Sequence, residues 1–169
     1  MPTPKSYLLL QHIAKDFNLA ALLRSADAFG VHEVVVVGRR QLPTGPAVGM
    51  GRFVRRAWFP RLGEARAYLH ERGCRILGSE VDATASPIEA HPFVGDTAFV
   101  VGNEGDGLTV AQRAICDGFV RIRQYGHAPS LNVNVAGAIV LHHFALWASF
   151  VERPIDGEKF VPAAFAPPE

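Results

Sequence analysis

The chain predicts an α/β fold: a mostly parallel sheet with helices on both faces. Three observations point there. Short apolar runs alternate along the chain with stretches of helical periodicity. The run EVVVV, Glu33 to Val37, is β-branched and apolar on both faces, as in a strand covered on both sides. The 169 residues, 49% hydrophobic and 20% charged, suffice for one domain with a sizeable core.

Tyr7 to Gln11 reads as the first strand. Phe17 to Phe29 reads as a helix, with apolar residues at Leu19, Leu22, Leu23, Ala26 and Phe29, and Gly30 is its natural stop. Glu33 to Val37 is the second strand. Gly38 to Gly51 is a loop rich in Gly, Pro and Arg. Ala57 to Phe59 reads as a short strand, Leu62 to Gly73 as a helix, and Arg75 to Ser79 as a strand. Thr97 to Val101 is the next strand and Val110 to Cys116 a helix, with Thr109 placed to cap it. Phe119 to Ile122 is a short strand, and Leu131 to Phe150 a long apolar helix. In such a sheet, ligands sit at the carboxyl ends of the strands.

A net charge of +1 gives no global basic field. Locally, Arg39, Arg40, Arg52, Arg55, Arg56, Arg61 and Arg66 crowd one segment of the chain, with Glu64 the sole acid between Arg39 and Arg66. Two readings stay open: a solvated basic surface, or a patch facing phosphates, which the excess of Arg over Lys favours. Cys74 and Cys116 form no metal or redox motif and are expected as reduced, packed thiols. No signal peptide and no apolar stretch of membrane-spanning length is evident, so a cytoplasmic protein is expected. Residues 1–152 form the expected domain; 153–169, with four prolines, form an extended tail.

Three segments carry chemistry. The first is AFVVGNEGDGLT, Ala98 to Thr109. A buried strand breaks into a loop holding Gly102, Gly105 and Gly107, with Glu104 among them. It lacks the Lys and Ser/Thr of a P-loop, and its glycines do not follow the dinucleotide fingerprint. A carboxylate would repel a phosphate, so the loop fits a ligand that is neutral, or cationic near its reacting centre. The second is PSLNVNVAGAIVLHHF, Pro129 to Phe144, where Ser130, Asn132 and Asn134 interrupt the entry to an apolar helix. Ser130 reads either as an N-cap or as a ligand group; the asparagines need partners if buried. His142 and His143 read as packed or solvated, and no spacing supports a metal site. The third is NLAALLRSADAFG, Asn18 to Gly30, with Arg24 inside an apolar helix. Arg24 either snorkels to solvent or faces a phosphate or developing oxyanion.

These segments, in this order, resemble the three motifs of the SpoU (TrmH-like) family of the SPOUT methyltransferase superfamily. Asn18, Arg24, Ala26, Ala28 and Gly30 match the first motif, with Ala20 in place of its glycine. Gly102 to Leu108 is similar to the second. Ile122, the run Ser130 to Val133, and Ala136 fit the third, whose Pro-Met is replaced by Arg123 and Gln124. The resemblance implies a C-terminal trefoil knot, an exception to the rule against knotting. It also implies S-adenosylmethionine as cofactor, a homodimer, and methyl transfer to a ribose 2′-hydroxyl of RNA, with tRNA preferred to rRNA. The long apolar helix with Trp147 then serves either as dimer face or as core.

On that resemblance the reacting set is Arg24, Asn18, Glu104, Ser130 and Asn132. Arg24 would hold an RNA phosphate and the 2′-oxygen, since arginine stays protonated and is no simple base. Asn18 would orient it, Glu104 would balance its charge, and Ser130 and Asn132 would fix the reacting groups. Ser79, Gly102, Ile122 and Leu131 would contact the cofactor. Arg39, Arg40, Arg52, Arg55 and Arg56 would contact RNA. Two competing readings are a knotted RNA-binding protein without turnover and a methyltransferase for small molecules or proteins. The complete reacting set argues against the first and the arginine cluster against the second.

Overall fold

A computed structural model describes residues 2–11, 13, 15–38, 54–103 and 106–153. The elements in order are β1 (Ser6–Leu10), α1 (Asp16–Ala28), β2 (Glu33–Val37), β3 (Arg55–Phe59), α2 (Leu62–Glu71), β4 (Arg75–Ser79), β5 (Ser86–Pro87), a 3₁₀ turn (Ile88–Ala90), β6 (Thr97–Val101), α3 (Val110–Ile115), β7 (Gly118–Arg121) and α4 (Val133–Trp147). The strands form one seven-stranded sheet in the order β3-β2-β1-β6-β4-β7-β5. Every neighbouring pair is parallel.

Successive side chains of a strand point to opposite faces, and both faces are covered. On one, Leu8, Leu10, Val34, Val36, Phe99 and Val101 pack against Leu19, Leu22 and Leu23 of α1 and Val140, Leu141 and Phe144 of α4. On the other, Leu9, Val35, Ile76, Ala98 and Val100 pack against Ala65 and Leu69 of α2 and Ile115 of α3. This two-sided burial is why β2 and β6 are apolar at nearly every position.

The helix ends follow local rules. Gly30 (φ 65°) ends α1: its N–H donates to Asp27 and that of Val31 to Ala26, which satisfies two terminal carbonyls. Gly73 (φ 72°) ends α2 likewise, through His70 and Leu69. α1 and α4 approach closely because Gly137 has no side chain; a Cβ there would lie 2.6 Å from Leu22 Cδ2.

Three expectations change. α4 runs from Val133 to Trp147 rather than 131–150, because Asn132 caps it and Ser149 turns at φ 55°. β3 begins at Arg55, two residues earlier than expected, where it gains β2 as partner. The short β5 and the 3₁₀ turn after it have no counterpart in the sequence reading. Gly38 is described, but residues 39–51 of the expected loop and 154–169 of the tail lie outside the described residues. Among the described residues no helix is long and apolar enough to cross a membrane.

Candidate functional site

A cleft opens at the carboxyl ends of β4, β6 and β7, the position a parallel sheet favours for ligands. It spans about 640 Å³ of space, open solvent included. Ser79 and Glu80 enter it from the end of β4, Gly102 and Asn103 from the end of β6, and Ile122 and Gln124 after β7. Ser130, Leu131, Val133 and Ala136 close it from the start of α4. Ser79, Gly102, Ile122 and Leu131 therefore share one cleft, although they are spread over 79–131. Its walls combine apolar side chains with a few polar groups, a composition that can hold a heterocycle and orient it.

The glycine loop is tight for its own reasons. The Asn103 N–H donates to the Gly107 carbonyl at 3.1 Å, and the Asp106 N–H donates to Asn103 Oδ1 at 2.9 Å. A Cβ on Gly102 would stand 2.3 Å from the Gly107 carbonyl carbon, and Gly107 itself has φ 68°. Both glycines are thus required by closure of the loop upon itself, whatever ligand lies beside it. Thr109 starts α3 with a full capping box: its Oγ1 accepts from Gln112 N at 3.2 Å, and Gln112 Oε1 accepts from Thr109 N at 2.9 Å. Glu104 and Gly105 lie outside the described residues.

An acidic turn adjoins the loop. Asp82 Oδ1 accepts from both Thr84 Oγ1 and Thr84 N at 2.7 Å, and Oδ2 from Arg113 at 2.8 Å. The Thr84 bonds first, and then Arg113, hold the Asp82 carboxyl down at about 2, from an ordinary 3.8. A depressed carboxyl stabilises the fold above its unfolded value and loses that contribution as the pH falls through its folded value. The turn should stay formed at pH 4 and open on acidification towards pH 2. An NMR titration of the Thr84 amide checks this; a midpoint near 4 would contradict it.

α4 is tied to α1 by two polar bonds. Asn132 Oδ1 accepts from Asn134 N at 2.9 Å and so caps α4. Asn132 Nδ2 donates to Asn18 Oδ1 at 3.0 Å, and Ser25 Oγ donates to Asn134 Oδ1 at 2.9 Å. The cap is therefore Asn132, and Ser130 stands exposed on the cleft. Asn18 is 3% exposed, so its amide has traded water for the bond to Asn132. Replacing Asn132 with Ala removes a cap and a bond to a buried amide and should cost about 1–2 kcal/mol. Denaturant unfolding measures it; an unchanged midpoint would refute the capping role.

Arg24 projects from the exposed flank of α1 and is not among the residues lining the cleft. Helical periodicity explains this, because Leu19, Leu22, Leu23 and Ala26 take the inward face. Arg55 and Arg56 lie on β3, the outer strand of the sheet, with Arg55 exposed and Arg56 half-buried. Arg39, Arg40 and Arg52 lie outside the described residues. The structure thus brings Ser79, Gly102, Ile122, Ser130 and Leu131 together at one cleft and joins Asn18 to Asn132.

His143 is bonded to His91 (3.1 Å) and His142 packs on Phe29. Burial pushes the Cys74 and Cys116 thiols up to about 12, so they are unreactive packing groups. Among the described residues no group of three His, Cys, Asp or Glu side chains could hold a metal. Glu80 escaped the sequence reading. An acid directly after a buried parallel strand was the available signal, since that is where such sheets place ligand groups.

Comparison with known proteins places this architecture. The model of the SpoU rRNA Methylase family matches residues 5–142. The chain is 30% identical to the tRNA (guanosine(18)-2′-O)-methyltransferase of Escherichia coli (strain K12), over 82% of this chain and 62% of that protein. It is 32% identical to the protein of the same name from Thermus thermophilus, over 93% of this chain and 84% of that one. The chain thus spans less than two thirds of the length of its Escherichia coli relative. Its fold superposes with TM-score 0.77 on the SpoU methyltransferase AviRb from Streptomyces viridochromogenes, at 24% identity, over 86% of this chain and 60% of that one.

Proposed function

Because the chain belongs to the SpoU rRNA Methylase family, we propose that it is an S-adenosylmethionine-dependent RNA methyltransferase acting on a ribose 2′-hydroxyl. The observation that carries this reading is the convergence of Ser79, Gly102, Ile122 and Leu131 on one cleft at the carboxyl ends of β4, β6 and β7. Its mixed apolar and polar lining fits a nucleoside joined to an amino acid. When bound, this donor supplies an electrophilic methyl group on a sulfonium sulfur. The protein's task is then to position the acceptor and stabilise charge on its oxygen.

Each side chain has a role in this reading. Ile122 and Leu131 sandwich the heterocycle, while Ser79 and the Gly102 backbone orient the rest. Arg24, exposed on α1, binds an RNA phosphate and the 2′-oxygen and stabilises negative charge as the hydroxyl loses its proton. Asn18 and Asn132 act together, since their mutual bond fixes α1 against the start of α4 and so fixes Arg24 relative to the cleft. Ser130, exposed at the cleft rim, is placed to meet the ribose. Glu104 balances Arg24. Arg39, Arg40, Arg52, Arg55 and Arg56 contact phosphates.

Three further parts belong to the same proposal. Residues 1–152 form a domain whose C-terminal part is threaded as a trefoil knot, and 153–169 form a tail. Two copies pair, a reading supported by exposed Phe17 on α1 and exposed Val135 and Leu146 on α4. The substrate is cytoplasmic RNA, with tRNA first. The tRNA enzyme of Thermus thermophilus is matched over 84% of its length, which favours tRNA; the family's description favours rRNA as the second reading.

Calorimetry with S-adenosylmethionine, then tritium transfer to bulk RNA and mapping of 2′-O-methyl groups, tests the proposal. Binding and transfer to ribose are expected, with RNA affinity falling steeply as salt rises. Donor binding without transfer to any RNA would point to a binding protein, and absence of donor binding would overturn the reading.

A further inference from the structure

The geometry points to Glu80 as a positioning residue that holds the glycine loop in its donor-binding shape, with Arg113 as its counter-ion. The inference rests on the cleft being the donor site. Glu80 directly follows Ser79 at the end of β4, and its side chain is 20% exposed. Oε2 accepts from Leu108 N at 3.1 Å, across 28 residues, and Oε1 accepts from Val81 N at 3.2 Å. The carboxylate also lies against Gly107, where a Cβ would come within 3.0 and 3.2 Å of its two oxygens.

Gly102 and Asn103 close the loop upon itself, but those bonds do not fix it to the sheet. Glu80 does, because it joins the returning limb at Gly107 and Leu108 to the end of β4. Two walls of the cleft are thereby locked together. Arg113 holds the carboxylate in turn, with Nη1 at 3.4 Å from Oε2, Nη2 on Asp82 at 2.8 Å, and its guanidinium over the Phe119 ring at 4.6 Å. A partly buried carboxylate that accepts two backbone bonds needs such compensation. No other described side-chain carboxylate lines the cleft.

The test uses the full chain with Glu80→Ala and Glu80→Gln. Calorimetry with S-adenosylmethionine gives affinity, steady-state transfer to bulk RNA gives donor KM and kcat, and hydrogen exchange reports the Leu108 amide without donor. For Glu80→Ala, donor Kd and KM should rise at least tenfold, kcat at saturating donor should stay within threefold, and Leu108 should exchange faster. Gln keeps an acceptor for Leu108 N–H but loses the ion pair, so its affinity should fall only three- to fivefold. If the wild type binds donor and both variants bind equally well, the inference is overturned. A fall in kcat at unchanged Kd also overturns it. If Glu80→Ala does not fold, Glu80→Gln decides: a three- to fivefold loss supports the inference and wild-type affinity overturns it. If the wild type binds no donor, the donor-site reading fails, and this inference with it.

Discussion

Replacing Arg24 with Ala should lower methyl transfer by about 10²- to 10³-fold, the scale measured when one charge-stabilising donor is removed from a reaction centre. Affinity for S-adenosylmethionine should stay within about twofold. The two effects separate because Arg24 lies on the exposed flank of α1 and contributes nothing to the cleft wall. Its removal leaves the inward face of α1 intact, so stability should change by no more than about 0.5 kcal/mol. Arg24→Lys should recover little turnover, because an ammonium lacks the fork that can span a phosphate and the 2′-oxygen. Wild-type turnover in Arg24→Ala would remove Arg24 from the mechanism.

The second large effect is at Gly102. An alanine Cβ there would meet the backbone of Gly107 at 2.3, 2.6 and 2.7 Å. The obstacle is main chain, which cannot swing aside, so the loop must open. We expect a loss of about 2–3 kcal/mol in stability and donor affinity weakened more than tenfold. Gly63→Ala is the control. It sits in α2 with nothing within 4 Å of the added carbon, and should gain up to about 1 kcal/mol from helix propensity. Denaturant unfolding and calorimetry give both numbers. A Gly102→Ala protein as stable as wild type would show that the loop closes in another way.

Much of the frame was legible because covered parallel strands leave a strong signature. β2, β4 and β6 fall at the expected residues, since each is a short apolar run between turn signals. Two-residue β5 was not legible. Ser86 and Pro87 have no periodicity, and proline contributes no N–H to a ladder. Arg24's exposure followed from helical spacing, whereas the bond from Asn18 to Asn132 spans 114 residues and no local pattern encodes it. Ser130 and Asn132 both had cap chemistry, and which one caps depends on where the chain turns into α4. Glu80 is harder to assign because Leu108, the partner that ties it to the glycine loop, lies 28 residues away.

The central pairing of β1 with β6 has a consequence for how the protein is made. Ser6 lies opposite Thr97, and the Lys5 N–H donates to Asp96 at 2.8 Å. On a ribosome adding about 5–20 residues per second, β1 waits roughly 5–20 s for its inner neighbour to be synthesised. During that interval β1, whose residues are all buried in the finished sheet, can pair only with β2 and presents a bare apolar edge. The cleft cannot exist before this gap closes, because Gly102 leaves the sheet directly after β6. Donor binding therefore requires both this long-range pairing and the start of α4 that closes the cleft, and a nascent chain should acquire it only after α4 has emerged.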